Sequence, residues 1–400
     1  VARCHVLFDR SPAALSVVAI IGAVTAIFAA CIGLVQHDIK RVLAYSTVSQ
    51  LGYMFLGCGV AAYSAAIFHL MTHAFFKALL FLAAGSVIHG MGGEQDMRKM
   101  GGLKRYMPVT FWTMTAAVFT ISGAPFLAAF YSKDAILYAA FLQGTNGKIF
   151  WFVGLVTAML TSFYMFRLWY LTFLGERRSA PHDLEQHGAP VHARSDTKLV
   201  LEADHPHEPH ESPWSMLGPL VILAVLSIGG GWIGVERLAA YLSPATGALT
   251  LEGGSATLEY TLAGLAVALA FVGWFIAHRL YHARSEAPAR LAASLSGPYH
   301  LLVHKYWIDE IYNTVIVKPI LATSRFVLDW VVDVAILGGA AWLLGGIATL
   351  GGAILQRWQS GNLRSYAAWL AAAAAALLIY VLWVYSPDGL SAFFTHGAGQ

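Results

Sequence analysis

Charged side chains are scarce in this sequence. Of its 400 residues, 12% are Asp, Glu, Lys or Arg and 58% are hydrophobic, whereas about a quarter of the residues of a soluble domain are charged. The formal net charge is only +3 and is scattered along the chain, which argues against a nucleic-acid partner. The composition predicts an integral membrane protein.

Signatures of redox cofactors are also absent. Cys4, Cys31 and Cys58 stand singly, without the CxxC or Cys/His spacing of a zinc or iron–sulfur site. No GxGxxG follows a strand-like run, so the sequence offers no nucleotide site. We therefore expect no cofactor and no metal in this chain, and any redox chemistry must reside in another one.

Long apolar runs predict an all-α, polytopic membrane protein, because a helix needs about 20 apolar residues to cross a bilayer. The predicted spans cover residues 12–35, 42–62, 64–89, 109–141 and 148–174, two spans within 214–281, and 363–386. A polar loop, 175–213, contains His182, His187, His192, His205, His207 and His210. These histidines lack helical spacing, so we interpret the loop as solvated rather than as a metal site.

The span 64–89 carries His69, His73 and Lys77, each four residues after the last. At about 100° per residue the three side chains fall within an arc of about 80°. A lysine at bilayer depth costs at least about 2.5 kcal/mol. Such a stripe predicts a route for protons or other ions.

The span 109–141 is too long for one crossing and contains Gly123 and Pro125, which break or kink a helix. Lys133 and Asp134 follow the predicted break. Freed backbone beside charged side chains is how transporters build ion sites. The alternative is a structural hinge, and the adjacent charges favour a functional role.

Residues 299–357 form a long amphipathic segment. Lys318, Arg325, Asp329 and Asp333 fall on one helical face, with mostly apolar residues around the rest. Two further spans are the simpler interpretation. The single polar stripe favours one helix of up to about 80 Å that lies along the membrane or along other helices.

Basic residues give the orientation, because cytoplasmic loops are enriched in Lys and Arg. One set of alternate connections holds Lys40, Arg41, Arg98, Lys99, Lys104, Arg105, Arg177, Arg178, Arg194, Lys198, Arg279, Arg284 and Arg290. The opposite set holds few basic residues. The first set, with the His-rich loop, is predicted to face the cytoplasm.

Four motifs occur in order: DIKRVLAYSTVSQLGYMFLG, AAIFHLMTHAFFKALLFLAAGSVIH, MGGL and FYSKDAIL. With them the chain resembles the proton-pumping, antiporter-like subunits of respiratory complex I. The later HKYWIDEIYN, the amphipathic segment and the final span are similar to the L-type members, which end in a lateral helix and an anchoring span. The resemblance implies two inverted five-helix repeats, each with a discontinuous helix.

Residues 1–174 match the second repeat, and the first repeat with its Glu–Lys pair has no counterpart. The resemblance thus predicts the C-terminal portion of such a subunit. By motif, Lys77 is the central lysine of the half-channel, His69 and His73 relay protons, and Lys133 is the terminal lysine with Asp134 beside it. FMN and iron–sulfur clusters are expected in partner subunits.

The resemblance implies a proton-translocating subunit of an NADH:quinone oxidoreductase in the bacterial inner membrane or, alternatively, the mitochondrial one. Its expected partners are other membrane-arm subunits, notably antiporter-like neighbours along the lateral helix, and lipids. A subunit of a multisubunit cation/proton antiporter, or of a related membrane hydrogenase-type complex, is the alternative. A purely bracing role for residues 299–357 is a further hypothesis.

Overall fold

The computed structural model describes residues 1–178, 208–247, 254–282, 286–359 and 361–385. In these ranges the secondary structure is helical, apart from one isolated antiparallel bridge between Asp38 and Asp96. Seven of the described helices are long and apolar enough to cross a membrane. The predicted all-α, polytopic membrane fold is confirmed. The chain divides into two units, one ending at Trp307 and the other beginning at Ile308.

The first unit is a bundle of twelve α-helices within the described ranges. They are α1 His5–Asp9, α2 Pro12–Gly33, α3 Ile39–Gly59, α4 Tyr63–Gly90, α5 Pro108–Ile121, α6 Ala128–Leu142, α7 Gly144–Phe173, α8 Trp214–Gly229, α9 Val235–Thr246, α10 Ala256–Tyr281, α11 Ala287–Ser294 and α12 Ser296–Val303. The predicted span 109–141 corresponds to two helices, α5 and α6. Of the histidines in the predicted loop 175–213, His210 is described and the other five lie outside the described residues.

Local chemistry explains where several helices begin. Ser11 accepts a hydrogen bond from Ala14 N at the start of α2, and Asp38 accepts one from Lys40 N at 2.8 Å at the start of α3. Such side chains satisfy backbone N–H groups that have no partner within the helix. At α5, the Glu211 carboxylate accepts from Val109 N at 2.8 Å. The cap of α5 thus comes from a distant part of the chain, which the local sequence does not reveal.

Helices α2 and α3 pack backbone against backbone, because glycines face each other. A Cβ on Gly52 would lie 2.5 Å from Ala26 N and 2.7 Å from Gly22 O. A Cβ on Gly22 would in turn lie 2.8 Å from Gly52 O. Small residues permit this close approach in membranes, where packing rather than the hydrophobic effect drives helix association.

Helix α4 lies at the centre of the bundle and packs against α3, α5, α6 and α8. Phe68, Phe76, Leu79 and Leu80 of α4 are completely buried. The face of α4 that meets these helices is therefore buried, whereas other residues of α4, among them Leu82 and His89, are exposed.

The second unit contains one long helical stretch, Ile308–Trp358, and the helix Leu363–Tyr385. The long stretch includes the wider π-helical segments Asn313–Val317 and Arg325–Gly338. At about 1.5 Å per residue it is about 75 Å long, more than twice the thickness of a hydrocarbon core. None of its residues is buried.

The prediction of a single helix over residues 299–357 was wrong about where the helix starts. Lys305, Tyr306 and Trp307 have φ values of +53°, +60° and +53°, a left-handed conformation that a right-handed helix cannot continue. The preceding helix α12 therefore ends at Val303, and the long one begins at Ile308. Tyr306 stacks on Phe28 of α2 at 4.4 Å between ring centroids, which holds this turn against the bundle.

Candidate functional site

The three ionisable residues of the α4 stripe are all buried. His69 has no exposed surface, and His73 and Lys77 are each 5% exposed. Their four-residue spacing places them on the face of α4 that meets α3 and α6. The structure therefore brings together the stripe that the sequence predicts.

His69 joins three helices. Its Nδ1 lies 2.9 Å from the Oγ of Ser132 on α6, and its Nε2 lies 3.2 Å from the Oε1 of Gln50 on α3. Thr72 on α4 contacts the same Ser132 hydroxyl at 2.8 Å. Both ring nitrogens thus have partners, as a fully buried imidazole requires.

His73 lies one turn after His69, and its ring nitrogens have fewer hydrogen-bond partners. Its ring lies 6.1 Å from the ring of His69 and stands edge-on to Phe76 at 5.3 Å, centroid to centroid. Within the described part of the chain its buried Nε2 has no hydrogen-bond partner. This nitrogen is available to water or to a moving proton.

Lys77 reaches from α4 to α3. Its Nζ donates to the carbonyl of Leu43 at 2.8 Å, and the same oxygen accepts from Thr47 Oγ1 at 2.9 Å. The ring of Phe81 lies 5.6 Å from Nζ. Lys77 therefore rests on a backbone dipole and an aromatic face, and it forms no ion pair with any described residue.

The break between α5 and α6 has a defined cap. Gly123 has φ of +82°, its N–H donates to Thr120 O at 3.0 Å, and Ala124 N–H donates to Phe119 O at 3.1 Å. This is the Schellman pattern that ends many helices. The predicted break at Gly123 and Pro125 is present, and glycine provides the left-handed residue.

Lys133 completes this helix end. The carbonyl of Ile121 would ordinarily accept from the N–H four residues later, but that residue is Pro125, which has none. The ammonium of Lys133 donates to this carbonyl at 3.1 Å. It also lies 5.2 Å from the centroid of the Tyr53 ring. A buried cation thus occupies the negative end of the α5 dipole.

Asp134 forms no ion pair with Lys133 in the structure. Successive residues of a helix point about 100° apart, and no ion pair joins these two neighbours. Asp134 is half-buried, and its Oδ2 has no hydrogen-bond partner among the described residues. The sequence places the two charges side by side, but the helix directs them to different surroundings.

A third buried cationic side chain, after Lys77 and Lys133, lies near one end of α7. Arg167, 3% exposed, donates to Gln36 O at 2.6 Å and to His37 Nδ1 at 3.1 Å, and it lies over the ring of Tyr281 at 5.7 Å. His37 belongs to the α2–α3 connection, outside the spans. Burial first, and then the charges of Arg167 and Arg98, lower the pKa of His37 to about 4. His37 is therefore neutral at pH 7 and can accept from the guanidinium.

Sequence reasoning missed Ser132, although it lies within the FYSKDAIL motif. It also did not identify Gln50 as part of the site. Neither residue is ionisable, so neither stood out in a search for buried charge. A hydroxyl directly before the lysine, in a helix after a break, was the available signal.

The comparisons with known proteins agree with this architecture. The transmembrane family described as NADH:quinone oxidoreductase/Mrp antiporter matches residues 1–161. The "NAD(P)H-quinone oxidoreductase chain 5" of Picosynechococcus sp. is 41% identical over 380 residues, covering 92% of this chain and 56% of that protein. The "NADH-quinone oxidoreductase subunit L" of Neisseria meningitidis serogroup B is 39% identical over 407 residues, covering 96% and 58%.

A solved structure shows the same fold at lower identity. The Mrp complex from Dietzia sp. contains a chain that superposes with a TM-score of 0.53 and 23% identity, covering 83% of this chain and 33% of that one. The chain spans a little over half the length of the two curated relatives above. Residues 1–161 thus belong to the NADH:quinone oxidoreductase/Mrp antiporter transmembrane family, and about 40% identity to these relatives extends the similarity over most of the chain.

Proposed function

We propose that this chain is a proton-translocating subunit of the membrane arm of an NADH:quinone oxidoreductase. The observation that carries the proposal is a set of ionisable groups buried in an apolar bundle: His69, His73 and Lys77 along one face of α4, and Lys133 at the helix break. Ionisable groups at bilayer depth are costly and typically mark ion or proton pathways. Asp134, half-buried on the turn beside Lys133, belongs to the same proposed path.

The two histidines are suited to pass protons, because one ring nitrogen can accept a proton while the other releases one. His69 is held by hydrogen bonds at both nitrogens, whereas Nε2 of His73 has no partner among the described residues. Lys77, one turn beyond His73, adds a group that can carry or lose a proton. The stripe thus offers successive acceptors along one face of α4.

Lys133 connects protonation to backbone geometry. As an ammonium it supplies both a donor and a positive charge to the carbonyl end of α5, a contact worth up to about 2 kcal/mol in a buried setting. As a neutral amine it retains the donor but loses the charge. Release of its proton therefore weakens the cap of the broken helix, and the break can respond to the charge state.

The wider organisation follows the family pattern. Residues 1–174 form the second antiporter-like repeat, the long helix lies along neighbouring antiporter-like subunits, and the helix Leu363–Tyr385 anchors it in the membrane. Quinone reduction takes place in partner subunits, which hold FMN and iron–sulfur clusters. The chain resides in the bacterial inner membrane, in contact with lipids and other membrane-arm subunits.

Proton pumping by the assembled complex tests the proposal. In vesicles that oxidise NADH, the substitutions Lys77→Ala and Lys133→Ala are each expected to reduce proton translocation about tenfold or more, since each removes a group that carries the proton. Lys148→Ala removes an exposed lysine at the start of α7 and is expected to pump like the unmodified complex. Normal pumping by both buried-lysine variants contradicts the proposed role of these residues.

A multisubunit cation/proton antiporter is the second candidate, favoured by the fold shared with the Mrp complex of Dietzia sp.. The two functions differ in their energy source. Sodium-dependent proton exchange in vesicles without NADH favours the antiporter, whereas proton movement that requires NADH and persists without sodium favours the oxidoreductase subunit.

A further inference from the structure

The hydroxyl of Ser132 is the direct side-chain link between the α4 stripe and the helix that carries Lys133. Ser132 is completely buried. Its Oγ lies 2.9 Å from His69 Nδ1 and 2.8 Å from Thr72 Oγ1. Thr72 Oγ1 also lies 3.1 Å from the carbonyl oxygen of His69. The Ser132 hydroxyl also lies 3.3 Å from the carbonyl of Ala128 and 3.5 Å from that of Ala129 on its own helix. The two hydroxyl hydrogens therefore have more acceptors within reach than they can use at once.

The neutral form of His69 fixes one direction of these bonds. A carbonyl oxygen can only accept, so Nε2, which faces Gln50 Oε1, carries the hydrogen. The lone pair at Nδ1 then accepts from the Ser132 hydroxyl. Ser132 in turn accepts from Thr72, and each of these three hydrogens has an acceptor within 3.2 Å.

The doubly protonated form of His69 requires the opposite direction. Nδ1 now donates to Ser132 Oγ, the Ser132 hydroxyl donates to Thr72 Oγ1, and the Thr72 hydroxyl donates to the carbonyl of His69. All three contacts are 3.1 Å or shorter. Both protonation forms are thus satisfied by rotating two hydroxyl hydrogens, with no movement of heavy atoms.

We propose that Ser132 and Thr72 form a reversible hydroxyl pair that holds His69 in both its neutral and its protonated form. Ser132 is then a positioning residue that lets this buried imidazole change charge without leaving either of its ring nitrogens unpaired. The inference rests on the proposed function, because it assigns the pair a task only if His69 gains and loses protons.

The pair also transmits the state of His69 to α6. When the Ser132 hydroxyl reverses, its dipole turns directly beside the backbone of Lys133. The ionisable neighbours of His69 are His73 on α4 and Lys133 on α6, while α3 contributes the uncharged Gln50 and the phenol of Tyr53. Positive charge on His69 therefore repels a proton from Lys133.

Substitution of Ser132 in the assembled complex tests the pair. In NADH-energised vesicles Ser132→Ala is expected to reduce protons moved per NADH about three- to tenfold, because the His69 ring then lacks one neutral hydrogen bond. Ser132→Thr retains a hydroxyl and is expected to restore most of the ratio. Thr72→Val, which lacks the hydroxyl, is likewise expected to lower the ratio, and Thr72→Ser, which retains it, to restore most of the ratio. This second pair tests the inference if the complex with Ser132→Ala does not assemble.

Ser122→Ala is the matched control, because Ser122 Oγ is buried near the same break but has no hydrogen-bond partner among the described residues. It should leave the ratio unchanged. The inference is overturned if Ser132→Ala or Thr72→Val pumps normally, or if the hydroxyl-retaining variants are as defective as those without one. Failure of the proposed function is distinguishable, because Lys77→Ala and Lys133→Ala would then pump normally as well.

Discussion

The two units differ in the burial of their charged residues. In the bundle, Lys77 and Lys133 are buried and bonded to backbone carbonyls of other helical segments. In the long helix, Lys318 and Asp333 occur among residues of which none is buried. Burial of a charged side chain at bilayer depth costs free energy, so such a residue is by default assigned a function. An exposed stripe of charges serves equally as a solvated face or as a face that contacts a partner. We therefore infer proton transfer from the buried charges of the bundle, and contacts with solvent or partners from the exposed charges of the long helix.

The largest expected difference between the two units concerns packing. Gly52→Ala places a methyl group 2.5 Å from Ala26 N, so α2 and α3 must separate, at a cost of about 3 kcal/mol, the upper part of the range for overpacking. Gly345→Ala in the long helix meets nothing within 4 Å and is expected to stabilise that helix by up to about 1 kcal/mol. Thermal unfolding of both variants in detergent measures the contrast. Equal melting temperatures would contradict the tight α2–α3 contact.

A smaller effect concerns pH. The pKa of His37 is about 4 in the folded bundle and about 6.5 in an unfolded chain, so the unfolded state binds more protons between these values. Stability is expected to fall as pH drops from about 6.5 to about 4, by on the order of 1 kcal/mol after allowance for partial exposure. Residues 308–385 contain no histidine, so this loss belongs to the bundle.

The variant His37→Gln isolates that contribution. A glutamine amide can accept from Arg167 as the neutral imidazole does, but it does not titrate. Glu94 and Asp96, whose pKa values are lowered from 4.5 and 3.8, affect stability only below about pH 4.5. Melting curves from pH 7 to pH 4.5 should therefore be flatter for His37→Gln, and parallel curves for the two proteins would contradict the assignment.

Several features of the bundle were predictable from the sequence. The four-residue spacing of the α4 stripe and the Gly123–Pro125 break follow from helix geometry and from the missing proline N–H, both of which are local properties. The contacts of Ser132 with His69 and of Glu211 with α5 were not predictable, because they join residues 63 and about 100 positions apart. The absence of an ion pair between Lys133 and Asp134 likewise depends on what surrounds each side of α6.

The start of the long helix shows a different limit. Residues 299–357 have the composition of one continuous helix, and nothing in the letters Lys305, Tyr306 and Trp307 signals a left-handed turn. The stacking of Tyr306 on Phe28 of α2 is a tertiary contact that overrides local preference. Boundaries set by such contacts are found only in the structure.

The central claim is that protons follow the buried groups of the bundle and not the exposed charges of the long helix. The most direct measurement is the number of protons moved per NADH oxidised, in vesicles holding the assembled complex with Lys133→Met or with Lys318→Met. We expect a ratio lowered about tenfold or more for Lys133→Met and an unchanged ratio for Lys318→Met. An unchanged ratio for Lys133→Met, or an equal loss in both variants, would contradict it.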